Sequence, residues 1–558
     1  MAIRYAIGMA ITLPPLYYLT HFRTVLEWVS SRYGDLLSSA EIAFLRDFDE
    51  LSQDSQALCV RMLLRKPRHL RWHTLRYAEI GDHEAALAAL ITLGWVDDDP
   101  YLDIDDVTQL ARRNDLLAAP WARPLPKSSR KQDLIAVMQA DAEADGHRQR
   151  RWQDWLPGNT VRIVSFTHTA IIERIKLLFF GNLYQDWSEF VLTDLGQQQY
   201  EPVPIDAHAR AFHHRDDVDH AQQLHAIGQR IIDADDLAAL LDNLIEMANT
   251  LPPFLESRRQ KRLFQLGNAA EKQHQWPLAE RAYQATQHPG TGFRHVRVLE
   301  RLERPDAAYD LACRALNGEL PDSEQAALRR ALPRLARRAQ QPLPASPRQP
   351  SLPEDTLVLD AAPQQAIEIA ACHALSQPHQ PVHYVENTLL CGLFGLLFWE
   401  VIYAPLPGAF FNPFQRGPAD LYQADFGQRR QSLIANVWQA MERGEHDALI
   451  QQRWQQKYSV QNPFVVWPAL SETLLQQALT VIPAPHLRLI FSRMLADVRQ
   501  HTRGLPDLIA IDLNAARYRL IEIKGPGDRL QDHQISWFHF FSRHQIPATV
   551  CHVRWEQP

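Results

Sequence analysis

Apolar and polar positions alternate most regularly near the end of the chain. Leu508 to Leu513 and Tyr518 to Ile523 read as two short strands, with Asn514-Ala515-Ala516-Arg517 as the turn between them. A Gly525-Pro526-Gly527 stop follows, then an amphipathic helix over Leu530 to His544 and a closing strand over Ala548 to Arg554. Upstream the pattern is helical. Tyr17 to Arg46 carries Phe22, Val25, Leu26 and Val29 on one face, and Ile231 to Arg338 is continuous amphipathic helix. Leu389 to Trp399 is apolar throughout and is ended by Glu400. A membrane span needs ~20 apolar residues, so this run predicts a buried helix. Between these regions Pro342, Pro344, Pro347, Pro350, Pro353 and Pro363 mark a linker without regular structure.

Smaller signals sit within the helical part. Leu266-Gly267, Ala279 and Tyr283 match tetratricopeptide spacing, and Ala307-Ala308 with Leu311 suggests a second, degenerate repeat. From Ser55 to Ala78 there is no acidic residue. Arg61, Arg65, Lys66, Arg68 and Arg71 stand there with Trp72 and Tyr77 interleaved, the composition of a phosphate-tracking surface. Leu70 to Trp95 reads as helices ending at Gly94, in a winged-helix-like unit. Ser129 and Gln132 fit a capping box opening a helix. Lys127, Arg130 and Lys131 crowd the positive end of that helix, which makes sense if an anion sits there. This segment resembles a SAP-type DNA-binding motif. Gly146 to Pro204 mixes helical and strand-like runs, including Val161 to Val164. Asp206 to His225 holds five histidines at irregular spacing and reads as a polar loop and helix start rather than a metal site.

The chemistry is expected in the terminal hairpin. Its strands bring Asp507 beside Glu522, and Lys524, two residues on, projects from the same face as Glu522. Two carboxylates and one amine then converge. Carboxylate oxygens suit a hard cation such as Mg²⁺ or Mn²⁺, and the amine can stabilise a phosphoryl oxygen or help deprotonate an attacking water. The bland reading of this PD…(D/E)xK pattern is a strand cap and a surface ion pair. Length and composition bound the rest. The 558 residues imply several domains, and the net charge of −7 means nucleic-acid binding has to come from local patches. Cys59, Cys313, Cys372, Cys391 and Cys551 form no CxxC pair, so neither a zinc site nor a disulfide framework is expected, and a reducing, cytoplasmic compartment fits. Ala6 to Leu19 mimics a signal peptide, but Pro14-Pro15 interrupts it, and it reads as a tucked-in N-terminal segment.

Arg503-Gly504-Leu505-Pro506-Asp507-Leu508, then Glu522-Ile523-Lys524-Gly525-Pro526-Gly527-Asp528-Arg529-Leu530 and Gln534, is similar to the virus-type replication-repair nuclease domain. The long form after the lysine resembles the Fanconi-associated nuclease family. Ser52 to Gln56 before "CVRMLLRK" and "VEN…GLLFW" from Val385 to Trp399 add to the resemblance. It implies a structure-selective, metal-dependent DNA nuclease, a 5′-flap endonuclease and 5′→3′ exonuclease acting in DNA repair, including interstrand crosslink repair. One or two Mg²⁺ or Mn²⁺ ions would be held by Glu386, Asp507, Glu522 and the carbonyl of Ile523, with Lys524 and Gln534 completing the catalytic group. Glu386 is expected on the helix leading the core. Arg499 and Arg503 would be phosphate contacts. The partner would be branched or flapped DNA, not a membrane, with room for a homodimer on DNA and nucleoid association in a bacterium. Nothing matches the ubiquitin-binding zinc finger of eukaryotic members, and His533 stands where those members have a lysine, which puts a terminal 5′-phosphate pocket in doubt.

The fold expected is mostly helical, with a C-terminal α/β restriction-endonuclease-like core of αβββαβ type. The division expected is an N-terminal helical DNA-binding domain over 1–105, the SAP-like motif over 106–145, a connecting region over 146–230 and tetratricopeptide-like helices over 231–340. The Pro-rich linker over 341–363 and the nuclease domain over 364–558 follow, the latter with a helical insertion at 405–499. The alternatives are a Holliday-junction resolvase-type endonuclease and a non-catalytic DNA-binding scaffold.

Overall fold

The computed structural model describes residues 16–145, 149–185, 187, 198–248, 251–318, 320–344, 351–359 and 366–556. The N-terminal segment expected to tuck in lies, up to residue 15, outside them, as do parts of 146–204 and of the Pro-rich stretch. The chain forms two units, residues 1–197 and 198–558. No helix among the described residues is long and apolar enough to cross a membrane.

In the first unit, α1 (Tyr17–Tyr33), α2 (Ser39–Glu50) and α3 (Gln53–Leu63) bury Phe22, Val25, Leu26 and Val29 as their spacing predicts. Ser38 and Ser52 stand at the N-caps of α2 and α3 and accept the N–H of Glu41 and Ser55, satisfying donors that helix starts leave open. α4 (His83–Thr92) is followed by Gly94 at φ 72°, a left-handed turn that glycine adopts without a Cβ penalty. A three-stranded antiparallel sheet runs in the order β1 (His69–Arg71), β3 (Ile163–Phe166), β2 (Val96–Asp97). Leu70 therefore opens this region in a strand, not in the expected helix. Its pairing partner Val164 is remote in sequence, so no local periodicity announces it.

Next come α5 (Ile104–Leu110), α6 (Arg113–Ala118) and α7 (Lys131–Asp145), packed with Trp152 and Trp155 in a core of their own. The capping box predicted at Ser129 and Gln132 is displaced. α7 starts at Lys131, so its third residue is Asp133, whose carboxylate accepts the Arg130 N–H at 2.9 Å.

The second unit opens with α8 (Arg215–Asp233) and α9 (Leu237–Glu246). The acids of the histidine-rich segment organise backbone there. Asp206 accepts the N–H groups of His208 and Ala209 at 2.9 Å, and Asp217 those of His213 and His214 at 3.0 Å. The repeat region follows: α10 (Pro253–Lys272), α11 (Trp276–Gln284), α12 (Thr291–Arg301), α13 (Pro305–Leu316) and α14 (Asp322–Arg338). The Gly267–Tyr283 spacing has a steric cause. The tyrosine ring lies so close that a Cβ on residue 267 would stand 2.4 Å from it.

The C-terminal core is a five-stranded mixed sheet in the order β4 (Glu354–Leu359), β8 (Ala548–Trp555), β7 (Arg517–Lys524), β6 (Leu508–Asp512), β5 (Val382–Tyr384). β4, β8 and β7 are parallel, while β7 with β6 and β6 with β5 are antiparallel. α15 (Ile367–Leu375) packs across β5, β6 and β7, and α22 (Asp532–Arg543) against β8. β4 corrects the reading of 341–363 as structureless. Its six residues are proline-free, and parallel pairing to β8 satisfies their backbone where proline could not.

The helical insertion holds α17 (Gln431–Glu442), α18 (His446–Gln456), α19 (Glu472–Val481), α20 (Ala484–Ala496) and α21 (Val498–His501); α16 (Leu389–Leu397) is the apolar helix before it. Its anchor is Arg430. The guanidinium is fully buried, pairs with Asp420 through two 2.9 Å bonds, donates to the carbonyl of Val401 at 2.9 Å and stacks on Phe426. Arg430→Ala would leave a buried carboxylate with one cation fewer and is expected to cost about 3–5 kcal/mol, measured by urea unfolding of the full chain.

Candidate active site

The β6–β7 hairpin pairs Leu508 with Ile521, so the residues just before and after this pair meet at one edge of the sheet. Asp507 and Glu522 are 7% and 1% exposed. Asp507 Oδ2 accepts the N–H of Ile523 at 2.8 Å. Glu522 Oε1 accepts from Lys524 Nζ at 2.8 Å and from Gln534 Nε2 on α22. Glu522 Oε2 is buried and has no hydrogen-bond partner. The four residues expected at the hairpin and on the following helix are thus brought together, and the ion pair is buried rather than on the surface.

Glu386 is 507 − 386 = 121 residues from Asp507, and three contacts close that distance. Tyr384 of β5 pairs with Leu508 of β6, Val385 N–H donates to the Asp507 carbonyl at 2.7 Å, and Leu505 N–H donates to Asn387 Oδ1 at 3.1 Å. Glu386 does not sit on a helix, which corrects the expectation. It lies in the turn between β5 and α16, where Asn387 takes φ 50°. Its carboxylate accepts from the Tyr384 hydroxyl and, at 3.4 Å, from Asn387 Nδ2.

The electrostatics follow from this crowding. Burial, with the charges of Glu386 and Glu368 adding to it, pushes the Asp507 carboxyl up to about 6. Burial and the Asp507 charge push Glu522 up to about 7 against the pull of Lys524. Among the described residues no three His, Cys, Asp or Glu side chains are gathered closely enough to hold a metal ion. Even so, the donor set suits a divalent cation. It offers a buried carboxylate oxygen with no partner and two carboxylates each made harder to ionise by negative neighbours, which a cation would reverse.

The sequence reading missed two groups here. Glu368 stands in the first turn of α15 and adds its charge to the field on Asp507 and Tyr384. Tyr384 holds Glu386. The Val-His-Tyr-Val alternation from Val382 is the one local signal for β5, but three residues are too few to distinguish from loop. Gly504 also matters. At φ 74° it brings the chain so near α22 that a Cβ would stand 2.2 Å from His533 Cδ2. Gly504→Ala is expected to cost about 1–3 kcal/mol and to lower activity more than binding, read by thermal melting and single-turnover cleavage.

The expected DNA contacts divide. In the first unit Arg71 is buried, bonded to Asp115 at 2.5 Å and to the Leu110 carbonyl at 3.1 Å, which corrects its assignment to an open phosphate surface. Arg61 is paired with Glu79 and lies between the rings of Tyr18 and Tyr77. Lys131 donates to the Thr108 carbonyl at 2.8 Å, so it is not directed at an anion on the helix start. Arg65, which donates to the Tyr77 hydroxyl, and Lys66, Arg68, Lys127 and Arg130 are exposed. In the second unit Arg499 and Arg503 are exposed, Arg499 over the Tyr422 ring at 5.3 Å.

Comparison with known proteins extends over nearly the whole chain. Residues 441–555 match the family model described as VRR-NUC domain, and residues 16–97 match that described as FAN1, HTH domain. The chain is 42% identical to the Fanconi-associated nuclease 1 homolog of Pseudomonas aeruginosa, over 97% of this chain and 96% of that one. It is 24% identical to the homolog of Arabidopsis thaliana, over 96% of this chain and 67% of that one. It is also similar to a crystal structure of paFAN1 bound to DNA with a two-nucleotide 5′ flap and a gap, with TM-score 0.85, 41% identity, and coverage of 98% of this chain and 100% of that one.

Proposed function

This chain belongs to the Fanconi-associated nuclease family, and from that premise we propose that it cuts DNA at 5′ flaps and degrades it 5′→3′, with Asp507, Glu522, Lys524 and Glu386 as its working residues. It is a structure-selective DNA nuclease that hydrolyses phosphodiester bonds with a divalent metal cofactor. Mg²⁺ or Mn²⁺ is the proposed ion. The flap preference is carried from the paFAN1 complexes with flapped DNA. The observation that carries the site is the partnerless, buried Glu522 Oε2 beside Asp507.

Glu522, Asp507, the Ile523 carbonyl and Glu386 would hold the cation. A bound divalent ion would polarise the scissile phosphate and lower the pKa of a bound water. The side chains supply the rest. Lys524, tethered to Glu522 at 2.8 Å, places its amine to orient the attacking water and to offset charge on the phosphoryl oxygens. Gln534 fixes the same Glu522 oxygen from α22 and leaves Oε2 open. Hydrolysis joins the water oxygen to phosphorus and releases the 3′-oxygen, with no covalent enzyme intermediate. Arg499 and Arg503, exposed before the motif, are proposed phosphate contacts, and Lys66, Arg68, Lys127 and Arg130 are proposed contacts to the DNA backbone. Action in DNA repair, crosslinks included, is part of this proposal.

The test is a comparison of radiolabelled 5′-flap, blunt duplex and four-way junction substrates with Mg²⁺ or Mn²⁺. Preferential, chelator-sensitive flap cutting is expected. Paired symmetrical nicks across the four-way junction, with the flap left intact, would point instead to resolvase action.

A further inference from the structure

Helix α14 closes the repeat region, yet its first side chain is built into the nuclease core. Asp322 Oδ2 accepts from Ser536 Oγ on α22 and from Arg493 Nη2 on α20. His501 Nε2, on α21, lies 3.3 Å from the same oxygen. Arg493 Nη2 also donates to Ser536 Oγ at 2.7 Å, and its guanidinium lies over the rings of Trp537 and Phe540 at 4.8 and 4.7 Å. Trp537 Nε1 in turn donates to the Arg503 carbonyl at 3.0 Å. One carboxylate therefore fixes three helices that converge on the site. Burial works against its charge, but the hydrogen bonds from His501 and Ser536 and the nearby Arg493 guanidinium hold it well below the usual carboxylate range.

What those helices carry gives the network its purpose. α22 carries Gln534, which donates to Glu522 Oε1. Gln534 and Ser536 are two residues apart, about 200° around the helix axis, so α22 is gripped on nearly opposite sides by the site and by Asp322. α21 leads directly into Arg503, Gly504 and Asp507. A shift of α22 by a fraction of its diameter would break the Gln534–Glu522 bond while leaving the hairpin intact.

We propose that Asp322 is a positioning residue of the nuclease centre: reaching in from the helical repeats, it sets α22 and the approach to Asp507 so that Gln534 stays on Glu522. The inference rests on the nuclease reading above. Asp322 touches no substrate, so its loss should appear in the chemical step rather than in DNA binding. It also makes the repeat region part of the catalytic frame, since its last helix would hold the site in register.

The test uses the full chain carrying Asp322→Ala, Asp322→Asn or Ser536→Ala, with Arg334→Ala as a control on the same helix. Arg334 pairs with Glu300 of the repeat region at 2.8 Å, away from the nuclease core. In folded Asp322→Ala, kcat on a 5′-flap substrate should fall about 10- to 100-fold with KM changed by less than about threefold, the scale on which groups orienting a ligand set act. Mn²⁺ affinity, read by electron paramagnetic resonance without DNA, should weaken alongside. Asp322→Asn should fall between, because it keeps an acceptor for Ser536 and loses the charge facing Arg493. Should Asp322→Ala fail to fold, Ser536→Ala decides, since it removes a hydroxyl and little volume. Wild-type kcat in Ser536→Ala, or a loss confined to KM in either variant, overturns the proposal. If Asp507→Ala cleaves as well as wild type, the nuclease reading fails instead.

Discussion

Asp507→Ala and Lys524→Ala are each expected to lower single-turnover cleavage of flapped DNA by at least about 10³-fold, with binding to the same DNA within about threefold of wild type. The two losses have different origins. Asp507 is a buried carboxylate with one oxygen committed to the Ile523 N–H. Alanine removes the negative charge that a cation needs and leaves the Ile523 donor without its partner, while relieving the repulsion that raises Glu522. These changes in stability oppose each other, so folding should be largely kept. Asp507→Asn retains an oxygen for Ile523 and should be as inactive as alanine, separating charge from structure. Lys524 is bonded to Glu522, and its loss removes both the hold on that carboxylate and the positive group proposed to act on the phosphoryl oxygens. Anisotropy with labelled DNA in chelator, followed by quenched-flow cleavage after adding Mg²⁺, measures both. Cleavage within tenfold of wild type in either variant would remove that residue from the chemistry.

The second large effect is on pH. Both site carboxyls sit above their ordinary values, Asp507 at about 6 and Glu522 at about 7, burial being the larger cause, with repulsion from Glu386 and Glu368 adding for Asp507 and repulsion from Asp507 for Glu522. A carboxyl whose folded pKa is raised makes the native state bind more protons than the unfolded one between the two values. Stability of the metal-free protein from this pair therefore falls as pH rises from about 4 to about 7, and levels off above. Divalent binding needs both groups ionised, so it should run the other way. Affinity should rise about a hundredfold per pH unit below 6, about tenfold per unit between 6 and 7, and flatten above, with proton release on binding. Thermal melting with and without Mn²⁺ across pH 5 to 8 tests both signs. Stabilisation by Mn²⁺ should be greater at pH 8 than at pH 5.5. Glu522→Gln without metal should melt roughly 2 °C or more above wild type at pH 8, and this gap should close towards pH 5. A gap that widens on acidification would mean that the pair is not held apart from its ordinary ionisation by burial.

The sequence carried the hairpin because both of its strands and its turn are local. The alternation from Leu508 to Ile523 fixes which side chains share a face, and a register of one residue either way would put apolar groups in water. Asp507, Glu522 and Lys524 could therefore be read together from the sequence, while Gln534 joined them only through the family resemblance. The repeats were legible for a similar reason: Gly267 and Tyr283 are neighbours on adjacent helices, and the small residue is required by the ring above it. The resemblance to a known family supplied what local pattern could not, namely that Glu386 belongs with residues 121 positions later, by 507 − 386.

Tertiary structure decided the rest. Whether an arginine faces DNA or the protein depends on which acid folds beneath it. Arg71 and Arg68 are alike in sequence, but Asp115 takes one into the interior and leaves the other exposed. Short strands such as Val382–Tyr384 and Glu354–Leu359 exist because remote partners accept their hydrogen bonds, a condition no window of local sequence contains. The field on Asp507 is the sum of Glu386, Glu368 and Lys524, groups from three elements whose charges matter only once burial removes the water between them. By itself the sequence determined which residue types were on hand and which near neighbours would share a face. Folding determined which of them lost solvent, and loss of solvent is what turns a carboxylate on a strand into a candidate cation ligand.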